Sequence, residues 1–291
     1  MDGLRRICGL VLLVLAVLLA LPSHAKSQSD DDEPLKWPNI KEPGMDLGDF
    51  PNSAYTLPAG TSYLEFMPFA TQGADDFEPA EFFSGYLLRY GLTDDVEFRV
   101  FGQGLTVVDT DPDQTGFSPI NLDMKVHLWE DRREWCLPAV ALEVALSTDW
   151  GSSFLSDGYL PTIQFNFDFP ITKVLNFEWT VGYQQVTGIQ NIGPGQQLLG
   201  PPIYERDNEV FFQWAFERDI TERIQLFFNG STNSNVPGVG GGTLVGCGGF
   251  FQWSDRLMFF TALNWGLTRE APDFSSQVGF GIALGQPRGQ R

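Results

Sequence analysis

Short runs of alternating apolar and polar residues fill the chain from about residue 60 to its end. In residues 120–128 the even positions are apolar and the odd ones are Asn, Asp, Lys and His; in residues 163–169 Ile and Phe alternate with Gln, Asn and Asp. This period of two predicts strands with one apolar and one polar face. Twelve runs follow this pattern: 62–70, 80–90, 96–104, 117–128, 136–148, 159–169, 174–186, 208–218, 223–230, 242–253, 257–267 and 275–284.

The connections between these runs fall into two length classes that alternate along the chain. Short polar turns of similar sequence recur, with Gly91–Phe98, Pro170–Phe177 and Asp219–Leu226 as the clearest examples. The other connections are longer, namely Thr71–Pro79, Leu105–Thr115, Asp149–Gly158, Thr187–Asp207, Ser231–Gly241 and Thr268–Ser275. Short turns at one end and long loops at the other are typical of bacterial outer-membrane barrels, in which an even strand number leaves both termini on the periplasmic side.

Alternation alone does not separate a membrane barrel from a soluble β-sandwich, because the two differ only in which face meets water. Many aromatic residues of this chain stand near the ends of the predicted strands, among them Trp129, Trp179, Trp214 and Trp265. Aromatic girdles at the membrane boundaries favour lipid on the apolar face. The prediction is an all-β fold: an up-and-down antiparallel transmembrane β-barrel of about 12 strands.

The first 52 residues differ from the rest. Arg5 and Arg6, the apolar run from Ile7 and the small-residue site ending at Ala25 predict a signal peptide over residues 1–25. Residues 26–52 are polar, acidic and rich in proline, and are interpreted as a flexible leader at the barrel mouth. Residues 53–291 form the predicted barrel domain, which places the protein in the outer membrane of the cell.

The polar faces of the runs define the candidate site, the lining of the lumen. We expect ionisable residues of lumen parity to compensate one another on the early strands and to leave an acidic wall on the later ones. Those residues are Arg89, Glu97, Arg99, Asp123, Lys125, His127, Glu143, Asp168, Glu178, Glu209 and Glu217. Bulky residues of the same parity, Phe83, Leu87, Phe211, Phe227, Phe250 and Phe260, should narrow the lumen.

Catalytic and metal chemistry find little support in the sequence. His127 is the single histidine after the predicted signal peptide, and it has lumen parity. No cysteine spacing fits a transition-metal site. Cys136 and Cys247, both placed in predicted strands, are interpreted as unpaired. The sequence therefore predicts no enzymatic activity, no cofactor and no metal.

The net charge of the chain limits the classes of partner that it is expected to bind. The chain carries 18 basic and 37 acidic residues; without Asp2, Arg5 and Arg6 of the predicted signal peptide, 16 and 36 remain, a net charge near −20. This excess argues against nucleic acid as a partner. Outer-membrane lipid and small solutes are the expected partners, and the sequence does not determine the oligomeric state.

The turns and strands also resemble a known family. Arg89–Arg99, Asn121–Val126 and Ala141–Ser147 are similar to segments of outer-membrane transporters assigned to the MetA pathway of phenol degradation, and the resemblance spans roughly residues 60 to 284. It implies passage of small, including aromatic or hydrophobic, molecules and carries over no catalytic motif.

The sequence thus predicts a channel or transporter for small solutes. Two alternatives stay open at this point: a non-conducting structural or surface-interaction barrel, and a soluble periplasmic β-protein. Twelve strands lie between the eight of filled barrels and the sixteen of open porins, which favours a narrow or plugged pore.

Overall fold

The computed structural model describes residues 39–74, 79–189, 204–234 and 241–284. Fourteen strands follow one another along these ranges. They are β1 (Ser62–Gln72), β2 (Glu81–Gly91), β3 (Val96–Gly102), β4 (Leu105–Val108), β5 (Gln114–Phe117), β6 (Asn121–Trp129), β7 (Ala139–Ser147), β8 (Leu160–Pro170), β9 (Leu175–Ile189), β10 (Tyr204–Asp219), β11 (Ile224–Asn233), β12 (Thr243–Ser254), β13 (Leu257–Gly266) and β14 (Phe274–Ala283).

All pairings between neighbouring strands are antiparallel, and the sheet closes on itself. β1 pairs with β14 on one side, in the register Tyr63↔Ala283, and with β2 on the other, in the register Tyr63↔Arg89. β4 and β5 form a short hairpin that pairs with Glu81–Phe83, the long-loop end of β2. The other twelve strands complete the ring. The predicted twelve-stranded up-and-down barrel is confirmed.

The strands extend into several of the predicted long connections, and the largest differences from the prediction are at two of them. Residues 105–115 were interpreted as a loop, but they contain β4 and the start of β5, because Glu81 of β2 extends far enough to pair with Val108. At this interruption Gly104 has a φ of +64°, a conformation that glycine adopts without strain. Likewise β9 and β10 continue their ladder as far as Ile189↔Tyr204, inside the predicted loop 187–207.

The side-chain parity shows which face meets lipid. On β8, Ile163 and Phe165 are each 43% exposed, whereas Asn166 and Asp168 are buried. The same pattern of exposed apolar and buried polar side chains recurs around the ring. Phe, Leu, Val and Trp are exposed on the outer face, and ionisable residues are buried on the inner face. Because a soluble sandwich would bury the apolar face, this arrangement excludes the soluble alternative and is that of a membrane barrel.

The turn between β6 and β7 departs from prediction. A 3-10 turn over Arg133–Trp135 precedes Cys136, whose φ is +51°, and β7 therefore begins only at Ala139 rather than at residue 136. Cys136 is exposed in this turn, not in a strand, and Cys247 lies in β12; both are free cysteines. No helix within the described ranges has the length and apolarity needed to cross a membrane.

Residues 39–61, which we call the inner segment, enter the barrel from the short-turn end and return to it. Near that end, the Ile40 amide donates to the Asp255 carbonyl and the Gly60 amide to the Gly91 carbonyl. Between these points, Met45, Asp46 and Ala54 are buried. The predicted leader, residues 26–52, therefore needs correction: residues 39–52 pack inside the barrel instead of lying at its mouth. The predicted signal peptide, residues 1–25, and residues 26–38 lie outside the described residues.

Candidate functional site: the barrel lumen

The first wall of the lumen is a buried ion network on β1, β2 and β3. Arg89 is its centre: Nε lies 2.7 Å from Glu97 Oε1, and Nη1 lies 3.2 Å from Glu65 Oε1. The side chains of all three residues are fully buried. An arginine places several donors in one plane, and this geometry lets it satisfy two carboxylates at once.

The network continues onto β6 and β7 through Arg99. Its Nη1 lies 2.8 Å from Glu143 Oε2 and 3.3 Å from Asp123 Oδ2. The strand pairing explains this meeting, because Arg99 is directly opposite Asp123 across the β3–β6 ladder. Asn166 on β8 donates a further hydrogen bond of 2.7 Å to Glu143. Alternating positions on five adjacent strands, β1, β2, β3, β6 and β7, thus form one continuous charged surface.

Asp46 of the inner segment joins this network and lies close to all three of its cations. Its Oδ2 is 2.6 Å from Lys125 Nζ, 3.4 Å from Arg99 Nη2 and 3.6 Å from Arg89 Nη2. Burial alone would raise the pKa of Asp46, but the positive charges of Arg89, Lys125 and Arg99 outweigh it and hold the pKa below its usual value. Glu65 holds the same part of the inner segment, because its Oε2 accepts hydrogen bonds from the backbone amides of Asp46 and Leu47. These contacts attach the inner segment to the wall.

The second wall, on β8, β9 and β10, is acidic. Asp168 and Glu178 are directly opposite each other across the β8–β9 ladder, and Asn176 donates to both, at 3.0 and 2.8 Å. Glu217 on β10 lies beside them. In the part of the chain that the structure describes, no lysine or arginine forms an ion pair with these three carboxylates.

Asp49 of the inner segment faces this second wall. Carboxylate oxygens of Asp49, Glu178 and Glu217 all lie within 4.8 Å of one another. Burial, together with the charges of Glu217, Asp46 and Asp168, raises the pKa of Asp49 well above its usual value. Three such oxygens could hold a cation, but uptake of protons would relieve the same repulsion, so that the cluster alone does not define a metal site.

The remaining predicted lumen residues also point inward but have other surroundings. His127 stacks on Tyr55 at a ring distance of 5.5 Å, and its Nδ1 lies 2.9 Å from the Ala54 carbonyl oxygen. Glu209 is buried further toward the long loops, where Gln184 donates to it. The structure therefore gathers ten of the eleven predicted residues around the inner segment and leaves Glu209 apart.

The third wall is apolar and lies opposite the first. Phe227, Phe250 and Phe260, on β11, β12 and β13, form a row of rings with centroid distances of 5.1 and 6.4 Å. Ile40 and Met45 of the inner segment belong to the same buried cluster. Phe250 comes so close to Gly48 that any side chain at position 48 would collide with its ring. Leu87 and Phe211 are also buried, and Phe83 packs against the cluster from β2.

A cavity of about 390 Å³ remains above the inner segment, in the half of the lumen nearer the long loops. We call it the vestibule. Leu47 of the inner segment contributes to its floor, and Leu155 and Asp157 reach it from the loop after β7. Its wall is formed by Met67, Phe83, Gly85, Tyr86, Phe101, Gly102, Gln103, Ser118, Pro119, Asn121, Ser147 and Leu160.

Sequence reasoning missed three acidic residues of the lumen. Glu65 could have been found, because it alternates with Tyr63 and Met67 on the inward face of β1. Asp46 and Asp49 carry no such signal, since they lie in a segment without strand periodicity. Their placement depends on the inner segment's path through the barrel.

Comparison with known proteins agrees with this architecture. The COG4313 outer membrane channel from Pseudomonas putida F1 superposes with a TM-score of 0.58 at 12% identity, covering 80% of this chain and 99% of that one. The NanC porin superposes with a TM-score of 0.51 at 11% identity, covering 77% and 100%. At these identities the likeness concerns the fold. No match was found among curated protein sequences.

The closed ring, the apolar outer face and the interior lined by ionisable residues define the protein as an outer-membrane β-barrel. A family model described as "Putative MetA-pathway of phenol degradation" matches residues 48–284. The chain belongs to this family, as the turn and strand motifs indicated.

Proposed function

We propose that the protein is a passive outer-membrane channel for small solutes, narrowed by its own inner segment. The observation that carries this proposal is the combination of a polar, ionised lumen with a vestibule left open above the inner segment. A barrel with a purely structural role would need neither buried charges, which are costly to desolvate, nor an internal cavity. Two solved structures with a similar fold, described above, are a channel and a porin.

Small aromatic or hydrophobic molecules are the proposed solutes. The third wall supports this class, since three phenylalanine rings face the lumen beside Met45 and Met67. The description of the family, which refers to phenol degradation, agrees with it. Passage would require the inner segment to shift, because it fills the space between the first and third walls.

We propose no catalytic role for the lumen residues. His127 contacts Tyr55 and the Ala54 carbonyl oxygen, and these contacts hold the return path of the inner segment. Ser147 lines the vestibule, whereas His127 lies near the opposite end of the barrel. The separation leaves no nucleophile–base pair between them.

Planar-bilayer conductance of the purified protein tests the proposal. The wild-type barrel should show small unitary currents, and Asp46→Asn should increase them by loosening the inner segment. Asp111→Asn, in an exposed loop, is the matched control and should leave the currents unchanged. Absence of current in the wild-type protein and in Asp46→Asn would refute the channel and support the alternative of a non-conducting structural or surface-interaction barrel.

A further inference from the structure

The vestibule has the composition of a ligand site rather than of a packing defect. Its volume of about 390 Å³ exceeds the ~150 Å³ that holds one benzene ring in a protein interior. Ligand sites of small molecules are mostly apolar with a few polar groups that fix orientation. The apolar part here comes from Leu47, Phe83, Phe101 and Leu160.

The polar groups of the vestibule are few and available. The Ser118 hydroxyl is buried and has no hydrogen-bond partner within the described ranges. The Gln103 amide and the Ser147 hydroxyl, both on inward positions, make no hydrogen bond with any residue in the described ranges. A buried hydroxyl without a partner costs free energy that a bound molecule could recover by donating to it or accepting from it.

Charge at the vestibule is equally restricted. Among the described residues, Asp157, exposed at the mouth, is the single ionisable lining side chain apart from Tyr86. The nearest cation of the first wall is Arg99, the inward residue that precedes Phe101 on β3. It is already paired with Glu143 and Asp123. In the part of the chain that the structure describes, no lysine or arginine lines the vestibule, and the guanidinium of Arg206 approaches Gly158, beside Asp157 at the mouth. An anion inside the vestibule would therefore lose water without meeting a lining cation.

We infer that the vestibule binds a neutral molecule made of one ring and a hydrogen-bonding substituent, with the ring against Phe83, Phe101 and Leu160 and the substituent toward Gln103 and Ser118. This inference rests on the proposed channel function only in naming the class of solute, because binding can be measured without transport. It distinguishes neutral alcohols from carboxylates of the same size, which the channel function alone does not.

Equilibrium dialysis of the detergent-solubilised full chain against three probes tests the inference, with empty micelles as the reference for partitioning. The probes are benzyl alcohol, toluene and benzoate. Benzyl alcohol should bind best, and benzoate should bind roughly tenfold more weakly or worse, because its charge would be desolvated without compensation. Equal binding of benzyl alcohol and benzoate would overturn the inference.

Two variants locate the binding site. Leu160→Trp should fill the vestibule and weaken benzyl alcohol binding by roughly tenfold or more, while Tyr159→Trp, on an exposed neighbouring position, should leave it unchanged. Gln103→Leu keeps the volume but removes the amide; it should weaken benzyl alcohol by roughly threefold to tenfold and leave toluene unaffected. Unchanged binding in both vestibule variants would overturn the inference.

Heat-modifiable gel migration of each variant checks folding, and a variant that fails this check is replaced by Ser147→Phe, which fills the vestibule from β7. Flux into liposomes is measured separately. Saturable, variant-sensitive binding without flux would support the vestibule site and refute the channel, whereas flux that Leu160→Trp and Gln103→Leu leave unchanged, without binding, would refute the site alone.

Discussion

Asp46 and Asp49 are three residues apart in the inner segment, yet their surroundings are opposite. Asp46 lies within 3.6 Å of three cations, whereas Asp49 faces Glu178 and Glu217. The first wall of the lumen therefore holds the inner segment through ion pairs, whereas the carboxyl groups of the second wall have no ion-pair partner among the described residues. The comparison separates two arrangements of charge in a lumen. In the first wall cations hold Asp46 of the inner segment, whereas in the second wall the inner segment contributes neutral donors, the Ser53 hydroxyl and the Ala54 amide, to Asp168.

The strongest way to break this comparison is to remove the central cation of the first wall. Arg89→Gln should lower the free energy of unfolding by about 3–5 kcal/mol, because the buried Glu65 would lose its arginine and the buried Glu97 would keep only the longer contact with Arg99. Urea unfolding in detergent measures the change. Arg223→Gln, in an exposed turn, is the control and should stay within about 0.5 kcal/mol of the wild type. A similar loss in both variants would contradict the role of the network.

Asp46→Asn removes the contribution of the inner segment to the same network. We expect a loss of about 2 kcal/mol at pH 7, since a charge-assisted hydrogen bond to Lys125 is lost. The lowered pKa of Asp46 means that its contribution is fully present above its unfolded pKa of ~3.9 and disappears as pH falls through the folded value. Wild type and variant should therefore converge in strongly acidic buffer; a constant difference at every pH would contradict the ion pairing.

Asp49→Asn should act in the opposite direction. Because the folded pKa of Asp49 is raised, the folded state binds a proton that the unfolded state has lost, and stability falls as pH rises above ~3.9 toward the folded value. Each unit of such a shift is worth about 1.4 kcal/mol. The variant should thus be at least as stable as the wild type at pH 8 and less sensitive to pH. Destabilisation equal to that of Asp46→Asn would show that the two walls do not differ.

We expect the smallest effect on stability from replacing Asp168, Glu178 and Glu217 by their amides. The ion selectivity of this triple variant is the sharpest test of the second wall. These carboxylates should favour cations over anions, because a wall of negative charge attracts cations. Reversal potentials across a salt gradient should show cation preference in the wild type and a reduced preference in the triple variant. The preference should weaken between 0.1 M and 1 M salt, as the Debye length falls from ~10 to ~3 Å. Clear anion preference of the wild type would contradict the acidic wall.

Much of the lumen was predictable because its residues belong to strands. On β6 the apolar residues face lipid, and the alternation of side chains therefore directs the polar residues into the lumen. These are Asp123, Lys125 and His127. The same reasoning assigned Asp168 and Glu178 to one region, since β8 and β9 are joined by a short turn. Parity does not give distances, however, and it could not show that Lys125 reaches Asp46 rather than Glu143, its direct cross-strand neighbour.

By itself, then, the sequence determined the barrel, its strand number and its inward and outward faces. These follow from a period of two and from the contrast between lipid and water, both of which act on each strand locally. Only the tertiary structure decided that residues 39–52 lie inside the barrel, with Asp46 beside the cations of the first wall and Asp49 beside the carboxyl groups of the second. That segment has no periodicity of its own. Its position is set by contacts with β1, β2, β3 and β6 on one side and with β11–β14 on the other, and these strands surround it only when the ring closes at β1 and β14.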